Sequence, residues 1–352
     1  MPMKREGMLY DRIEGNAVRC HVCQWECRIA DGKVGACRTR INEGGTLHTL
    51  IYGEASSINA DPIEKKPLFH FFPGSMVFSL GTWGCNFHCR HCQNWQISYA
   101  RPSQRGWEVG GSYHDRGREI TAAETVAQAQ RHRCRGIAWT YNEPGIWLEY
   151  TLDTSRLARE AGLYTVYVTN GYLSEAALDA MGPYLDAYRV DLKGFGELPY
   201  RKLARATRPE GILRVAERAR HRWGMHVEVV TNVVPTVNDS PQQLRAMAGW
   251  IAESLGQETP WHVTRFFPHA DMAHLPPTPL ETLASAREIG LQAGLSFVYL
   301  GNLPGGDGEN SYCPGCGRLA VRRSGFRSEM VAVGSGGKCR HCGTDLNIRT
   351  GK

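Results

Sequence analysis

The chain has 352 residues, more than one compact unit usually needs; an α/β barrel of about 250 residues would leave about 100 for appendages. Its 42% apolar and 22% charged residues are those of a soluble globular protein with a modest net charge of +6, and no apolar run nears the ~20 residues that would span a bilayer, which excludes a helical membrane protein. The opening MPMKREGMLYDRIEG lacks the apolar core of a secretory signal, so a cytoplasmic protein is expected, whose twelve cysteines serve as metal ligands or catalytic thiols rather than disulfides.

In chain order, Cys20, Cys23, Cys27 and Cys37 come first, spaced C-x2-C-x3-C-x9-C in a run that reads as a compact, turn-rich knuckle. Its metal is zinc or a second 4Fe-4S cluster, and the compact turns favour zinc. A β-rich run at 76–81 leads into GCNFHCRHCQNW, where Cys85, Cys89 and Cys92 are spaced C-x3-C-x2-C. Three thiolates this close can hold three corners of a cubane iron–sulfur cluster, which normally takes four cysteines. One iron is then open for a substrate or cofactor. Zinc here would need a fourth ligand, which His88 or His91 could supply.

Helix and strand patterns alternate from there. Residues 121–132 open with Thr121 and Glu124, a capping box. A strand over 136–141 is followed by Thr140-Tyr141-Asn142-Glu143-Pro144, then a helix over 145–162 closed by Gly162. Cys134 reads as a small buried residue. A strand over 164–169 leads to Thr169-Asn170-Gly171-Tyr172 and a helix over 174–182 starting at Ser174. A strand over 187–192 ends in Asp191-Leu192-Lys193-Gly194. Residues 201–222 carry eight Arg or Lys against two Glu, either the solvated face of a helix or a docking surface for an acidic partner or nucleic acid. Strands over 226–231, 262–266 and 296–300 alternate with helices over 239–255, from Asp239 or Ser240, and over 279–293, from near Thr278. Arg265 and His269, after the sixth strand, face either a substrate or solvent. Cys313, Cys316, Cys339 and Cys342 pair as two C-x2-C turns twenty-two residues apart, the pattern of a zinc ribbon, with zinc preferred over an auxiliary iron–sulfur cluster.

Strands alternating with helices mean parallel β/α units, and six or seven of them predict a partial or full TIM-type (β/α)6-7 barrel. Functional groups then sit on the loops after the strand C-termini. The cysteine triplet and each polar motif fall at that edge, and this convergence weighs more than any single motif.

Taken together, Asp61-Pro62-Ile63-Glu64-Lys65-Lys66-Pro67-Leu68-Phe69-His70, the cysteine triplet, TYNEP, TNGY and DLKG resemble radical S-adenosylmethionine (SAM) enzymes related to pyruvate formate-lyase activating enzyme. More narrowly they resemble the AmmeMemoRadiSam-system branch, as does the terminal GNLPGGDGENSYCPGCG. The resemblance covers nearly the whole chain. It implies a radical SAM barrel over 61–303, a Cys-rich metal-binding appendage over 1–60 and a zinc-ribbon-like one over 304–352. Cys85, Cys89 and Cys92 would ligate a 4Fe-4S cluster. Glu143, with Asn142, stands in the family's Gly-Gly-Glu-Pro element and would accept from the SAM amino group, a sensible pairing of carboxylate with ammonium. Thr169 and Asn170 match a SAM-facing strand end, Lys193 a lysine that meets the SAM carboxylate, and Asp191 a carboxylate that binds a monovalent cation. Two departures stand out. His91 replaces the aromatic residue that packs on adenine, and Val168 replaces an aspartate of the cation site, which puts the cation in question.

The chemistry implied is one-electron reduction of the cluster and reductive cleavage of SAM to methionine and a 5′-deoxyadenosyl radical that abstracts hydrogen from a substrate carbon. No residue is assigned as general acid or base. An external donor of flavodoxin or ferredoxin type would supply the electron. The target would be a protein, such as a glycyl radical enzyme or a Memo-like protein, or a small metabolite; nucleic acid is not expected. The opposing class is a binding scaffold in which zinc-ribbon ends and the 201–222 segment grip nucleic acid, with salt-dependent affinity and no SAM cleavage.

Overall fold

The computed structural model of the chain describes residues 4–103, 106–114, 117–303 and 307–351. Pro304, Gly305 and Gly306, which open the expected C-terminal region within GNLPGGDGENSYCPGCG, lie outside the described residues.

Eight strands form the central sheet: β1 (Ser57–Pro62), β2 (Met76–Gly81), β3 (Gly136–Trp139), β4 (Tyr164–Thr169), β5 (Ala187–Asp191), β6 (His226–Val233), β7 (Trp261–Arg265) and β8 (Val298–Gly301). They lie side by side in chain order. Strands β2 to β8 are parallel, joined by crossovers that carry α1 (Ala122–Arg131), α2 (Leu148–Glu160), α3 (Glu175–Met181), α4 (Glu197–Ala204), α5 (Glu210–His221), α6 (Pro241–Trp250) and α7 (Leu280–Gln292). The strands are Val-, Tyr- and Ile-rich and buried along nearly their whole length, as parallel strands covered on both faces must be. The barrel is the partial form. Among the described residues β8 does not pair with β1, because the outer edge of β2 is taken by antiparallel β1, in register from Ser57 opposite Gly81 to Pro62 opposite Met76.

The strands over 76–81 and 164–169 match their expected bounds, and the caps are as the sequence implied. Thr121 Oγ1 accepts from Glu124 N at 3.1 Å while Glu124 Oε2 accepts from Thr121 N at 2.8 Å. Ser174 and Ser240 cap α3 and α6. Other bounds change for local reasons. Strand β3 stops at Trp139 because Tyr141 turns the chain with a φ of 72°. The helix expected over 145–162 begins as the 3-10 turn Pro144–Trp147. The one over 239–255 continues past α6 as a π turn, Ile251–Leu255. Thr278 caps nothing: its hydroxyl accepts from Phe266 N at 2.8 Å and donates to Val233 O at 2.7 Å, tying the exits of β6 and β7 together.

The N-terminal region keeps the turns expected between Cys20 and Cys37 and adds strands that were not foreseen. It is built on two three-stranded antiparallel sheets, one of Tyr10–Ile13, Ala17–Cys20 and Arg28–Ile29, the other of Arg5–Glu6, Thr46–Thr49 and Arg40–Glu43. Arg40 joins it to the barrel. Its Nη1 and Nη2 donate to the two oxygens of Glu149 on α2 at 2.9 and 2.8 Å, with both side chains buried. A second unforeseen element follows β2, a three-stranded antiparallel excursion of Arg101–Ser103, Gly106–Val109 and Ser112–His114.

At the N-terminal end of the strands, the fully buried carboxylate of Glu228 accepts from Phe69 N, His70 N, His226 Nε2 and His262 Nε2 at 2.7 to 3.0 Å. Four donors are what a buried charge requires. His70 Nδ1 donates to Leu346 O at 2.8 Å and Arg323 to Phe69 O at 2.7 Å, which fastens the C-terminal sheet (Ser311–Tyr312, Leu319–Ser324, Arg327–Met330) at this end. The opposite end is left for the site. Among the described residues no helix is long and apolar enough to cross a membrane.

Candidate active site

At the C-terminal edge of the sheet a cavity of about 470 Å³ is lined by Cys85, Cys89, His91, Cys92, Asn142, Glu143, Thr169, Asn170, Asp191 and Lys193, all the residues expected there. The β2 loop brings the cysteines in. Strand β2 ends on Gly81, where a Cβ would press within 3.1 Å of Thr140 O and the Tyr141 ring, so glycine lets the β2 and β3 loops converge. Asn142 then clamps them: its Nδ2 donates to Gly84 O at 2.6 Å and its Oδ1 accepts from Thr82 N at 3.2 Å. Asn170 Nδ2 donates to Asn86 Oδ1 at 2.8 Å and lies 3.8 Å from Cys85 Sγ, while its Oδ1 accepts from Tyr172 N at 2.9 Å. Both residues line the cavity, and their amides also brace the cysteine loop.

Glu143 is 1% exposed. Its Oε1 accepts from Thr169 Oγ1 at 2.7 Å and Gly145 N at 2.8 Å, and its Oε2 from Asn170 N at 2.8 Å. A carboxylate offers about four lone-pair positions, so Oε2 keeps one for a donor in the cavity. Burial pushes the carboxyl up to about 7, against the pull of the Asn170 and Gly145 amides and the Thr169 hydroxyl. A cationic partner would reverse that shift.

Asp191 bonds both Arg189 and Lys193, the latter with Nζ 3.1 Å from Oδ2. Burial pushes this carboxyl up, but Arg189 and Lys193 outweigh it and hold it at about 2. One anion between two cations leaves net positive charge facing the cavity. Sequence reasoning missed Arg189, although Arg189 and Asp191 share a strand face at period two. Lys66, Tyr141, Asn232, Thr264 and Asn302 also line the cavity and were not anticipated. Three of them had a signal: Tyr141 in the TYNEP turn, Lys66 in the run from Asp61 to His70, and Asn232 just past the end of the strand read over 226–231.

Burial pushes the Cys89 thiol up to about 12, despite Lys193, and raises those of Cys85 and Cys92. Such thiols become ligands when a cation compensates the charge. Cys85, Cys89 and Cys92 do not gather with His88 or His91 within 4.8 Å as a tetrahedral zinc site would, and three thiolates on one cavity suit three corners of a larger cluster. Phe87 N donates to Cys85 Sγ at 3.4 Å.

Arg265 and His269 do not line the cavity. Arg265 Nε donates to Thr278 O at 2.9 Å and its guanidinium lies over Phe267. Six of the basic residues over 201–222 are ion-paired: Arg201 with Glu197, Arg205 with Asp271, Arg214 with Glu175, Arg218 and Arg222 with Asp179, and Arg220 with Glu258. Cys134 is buried as a small apolar residue. The four C-terminal sulfurs lie within 4.8 Å of one another, with Cys313 to Cys342 at 3.5 Å and Cys316 to Cys339 at 3.8 Å. Each C-x2-C turn has the same bonds, Gly317 N to Cys313 O and Cys313 N to Arg318 O in one, Gly343 N to Cys339 O and Cys339 N to Thr344 O in the other. Gly317 and Gly343 take φ of 71° and 76°, where glycine is favoured. Zn–S bonds of about 2.3 Å put tetrahedral sulfurs about 3.8 Å apart, so this quartet fits one zinc ion.

Residues 81–248 match the model of the Radical SAM superfamily. An uncharacterized protein of Methanocaldococcus jannaschii is 41% identical over 345 residues, 98% of this chain and 99% of that one. The pyruvate formate-lyase-activating enzyme of Clostridium pasteurianum is 24% identical over 177 residues, 48% of this chain and 66% of that one. A radical SAM methyltransferase from Sphaerobacter thermophilus has a similar structure, with a TM-score of 0.49, 18% identity and 71% of each chain covered. With its cysteine triplet at the head of the matched segment, the chain belongs to the radical SAM superfamily.

Proposed function

We propose that this protein cleaves SAM reductively and directs the resulting radical at a carbon–hydrogen bond of a partner protein or a metabolite. The observation that carries this reading is one cavity shared by the cysteine triplet, the buried Glu143 and the Arg189–Asp191–Lys193 group. A 4Fe-4S cluster on Cys85, Cys89 and Cys92 would supply the electron that breaks the SAM C5′–S bond, giving methionine and a 5′-deoxyadenosyl radical.

The chain's own residues bind and orient. Glu143 Oε2 takes the SAM ammonium, and Lys193 takes its carboxylate. His91 lies against the adenine, where the imidazole offers a flat face. Arg189 gives Asp191 the positive charge that the family resemblance assigned to a monovalent cation, so no cation is required. Asn142 and Asn170 hold the cysteine loop in register with these contacts. The remaining cavity takes the substrate, in which a glycyl radical or Memo-like partner protein would present one side chain or backbone position. The electron comes from an external flavodoxin- or ferredoxin-type donor. The C-terminal quartet holds structural zinc.

The test is anaerobic reconstitution with iron and sulfide, reduction with dithionite and addition of SAM. Formation of 5′-deoxyadenosine and methionine is expected, and Cys89→Ala abolishes it. A protein with a spectroscopically verified cluster that leaves SAM intact would overturn the reading.

A further inference from the structure

The N-terminal cysteines are spaced differently from the C-terminal ones. Cys20, Cys23, Cys27 and Cys37 all line one cavity of about 10 Å³, yet their sulfurs do not gather within 4.8 Å as the C-terminal quartet does. That is the space in which the centre of a water-sized sphere can move, so the void enclosed by the sulfurs and the apolar walls is wider than one water. Sulfurs bound to one zinc, about 3.8 Å apart, would leave no such space. The other walls are apolar, from Val22, Ile29 and Ile146, so water is a poor occupant.

A second observation points to an anionic occupant. Arg40 also lines this cavity and is 1% exposed. Its two Nη groups are taken by Glu149 and Ile146 O, but its Nε–H, buried, has no acceptor. An orphaned guanidinium N–H beside four cysteines is explained by an acceptor that belongs in the cavity. Thiolates and sulfides of an iron–sulfur cluster are such acceptors. Further donors already point at the sulfurs: Ala36 N to Cys27 Sγ at 3.4 Å and Thr39 Oγ1 to Cys37 Sγ at 3.2 Å. Hydrogen bonds to the sulfurs set the potential of such clusters.

The cavity also abuts the active-site loop. A Cβ on Gly84, the residue before Cys85, would lie 2.8 Å from Cys37 O and 2.5 Å from Thr39 Cγ2. Trp25 Nε1 donates to Asn86 O, the residue after Cys85, at 2.7 Å. The N-terminal cysteine region thus touches the main chain on both sides of Cys85, at Gly84 and at Asn86.

We propose that Cys20, Cys23, Cys27 and Cys37 hold a second cubane iron–sulfur cluster, placed to exchange electrons with the cluster at Cys85. A low-potential one-electron carrier reduces the N-terminal cluster by one electron. That electron passes to the cluster at Cys85, and the N-terminal cluster returns to its oxidised state with no bond broken and no proton moved. This choice of occupant reverses the preference for zinc that the spacing suggested.

Only the neighbouring cluster at Cys85 is taken from the functional reading; the metal content of the N-terminal site is tested whether or not SAM is cleaved. The Cys85→Ala, Cys89→Ala, Cys92→Ala triple variant, reconstituted anaerobically, should keep about four iron and four sulfide per chain, with the paramagnetic signal of a reduced cubane after dithionite. Wild-type protein, which guards against misfolding of the variant, should hold about eight iron and one zinc per chain. Its fully reduced spectrum should show magnetic coupling between two clusters, lost in the triple variant. About two zinc and four iron in wild type, or a triple variant without iron, overturns the site. Two clusters with uncoupled spectra overturn the electron exchange.

Discussion

Replacing Glu143 with Gln keeps the volume of the side chain and removes its charge. In the wild type the carboxylate accepts three bonds, from Thr169 Oγ1, Gly145 N and Asn170 N. A carboxamide has one oxygen, so whichever way it is turned, one backbone N–H, of Asn170 or of Gly145, meets an NH2 group and is left buried without an acceptor. An orphaned buried donor costs about 1–3 kcal/mol, and that is the expected loss in unfolding free energy. The SAM ammonium loses a charge-assisted bond worth about 1.5–3 kcal/mol, so SAM affinity should fall about 10- to 150-fold. Asn170 also braces Cys85 and Asn86, yet the cluster should still load, because the amide contact from Asn170 Nδ2 is untouched. Anaerobic equilibrium dialysis of reconstituted protein with labelled SAM measures the affinity, and urea unfolding the stability. Binding within twofold of wild type, in a variant with full iron content, would refute the assignment of Glu143 to the ammonium.

Further outcomes follow from the same geometry. Because burial raises the Glu143 carboxyl from 4.5 to about 7, the ligand-free protein loses stability as pH rises through that window, while SAM binding strengthens as the group ionises. Calorimetry at pH 6 to 6.5 in two buffers of different ionisation enthalpy should show up to about one proton released per SAM bound. Lys193→Met should weaken SAM binding about 10- to 100-fold by removing one charge-assisted bond, yet leave folding nearly unchanged because Asp191 keeps Arg189; a normal affinity in dialysis would contradict this. Glu149→Ala strands the buried Arg40 charge and should cost about 3–5 kcal/mol in urea unfolding. Cys342→Ser should release the C-terminal zinc and lower the melting temperature but spare SAM cleavage; retained zinc by metal analysis would count against the quartet.

Much of this was legible locally. The helix caps, the period of the strands and the cysteine spacings depend on residues a few positions apart, and the motifs after the strands land at one edge because parallel β/α units put every such loop there. Other features depend on partners far away in sequence. The partial barrel follows from β1 occupying the edge of β2 in the reverse direction. That the amides of Asn142 and Asn170 also hold Gly84 and Asn86 depends on loops brought together from 58 and 84 positions away. The basic run over 201–222 reads as a free surface until its acids, Glu175, Asp179, Glu258 and Asp271, arrive from elsewhere. Arg40 meets Glu149 across 109 positions, and no local pattern pairs them.

The amino-acid order alone thus determined the chemistry on offer: a triplet of thiols, a carboxylate and an ammonium in the motifs after the strands, and two quartets of cysteines. Tertiary structure decided how far apart those ligands stand. Spacing along the chain limits which sulfurs can meet, but the distance at which they stop is set by the packing around them, and that distance separates a site for one ion from a site for a cluster.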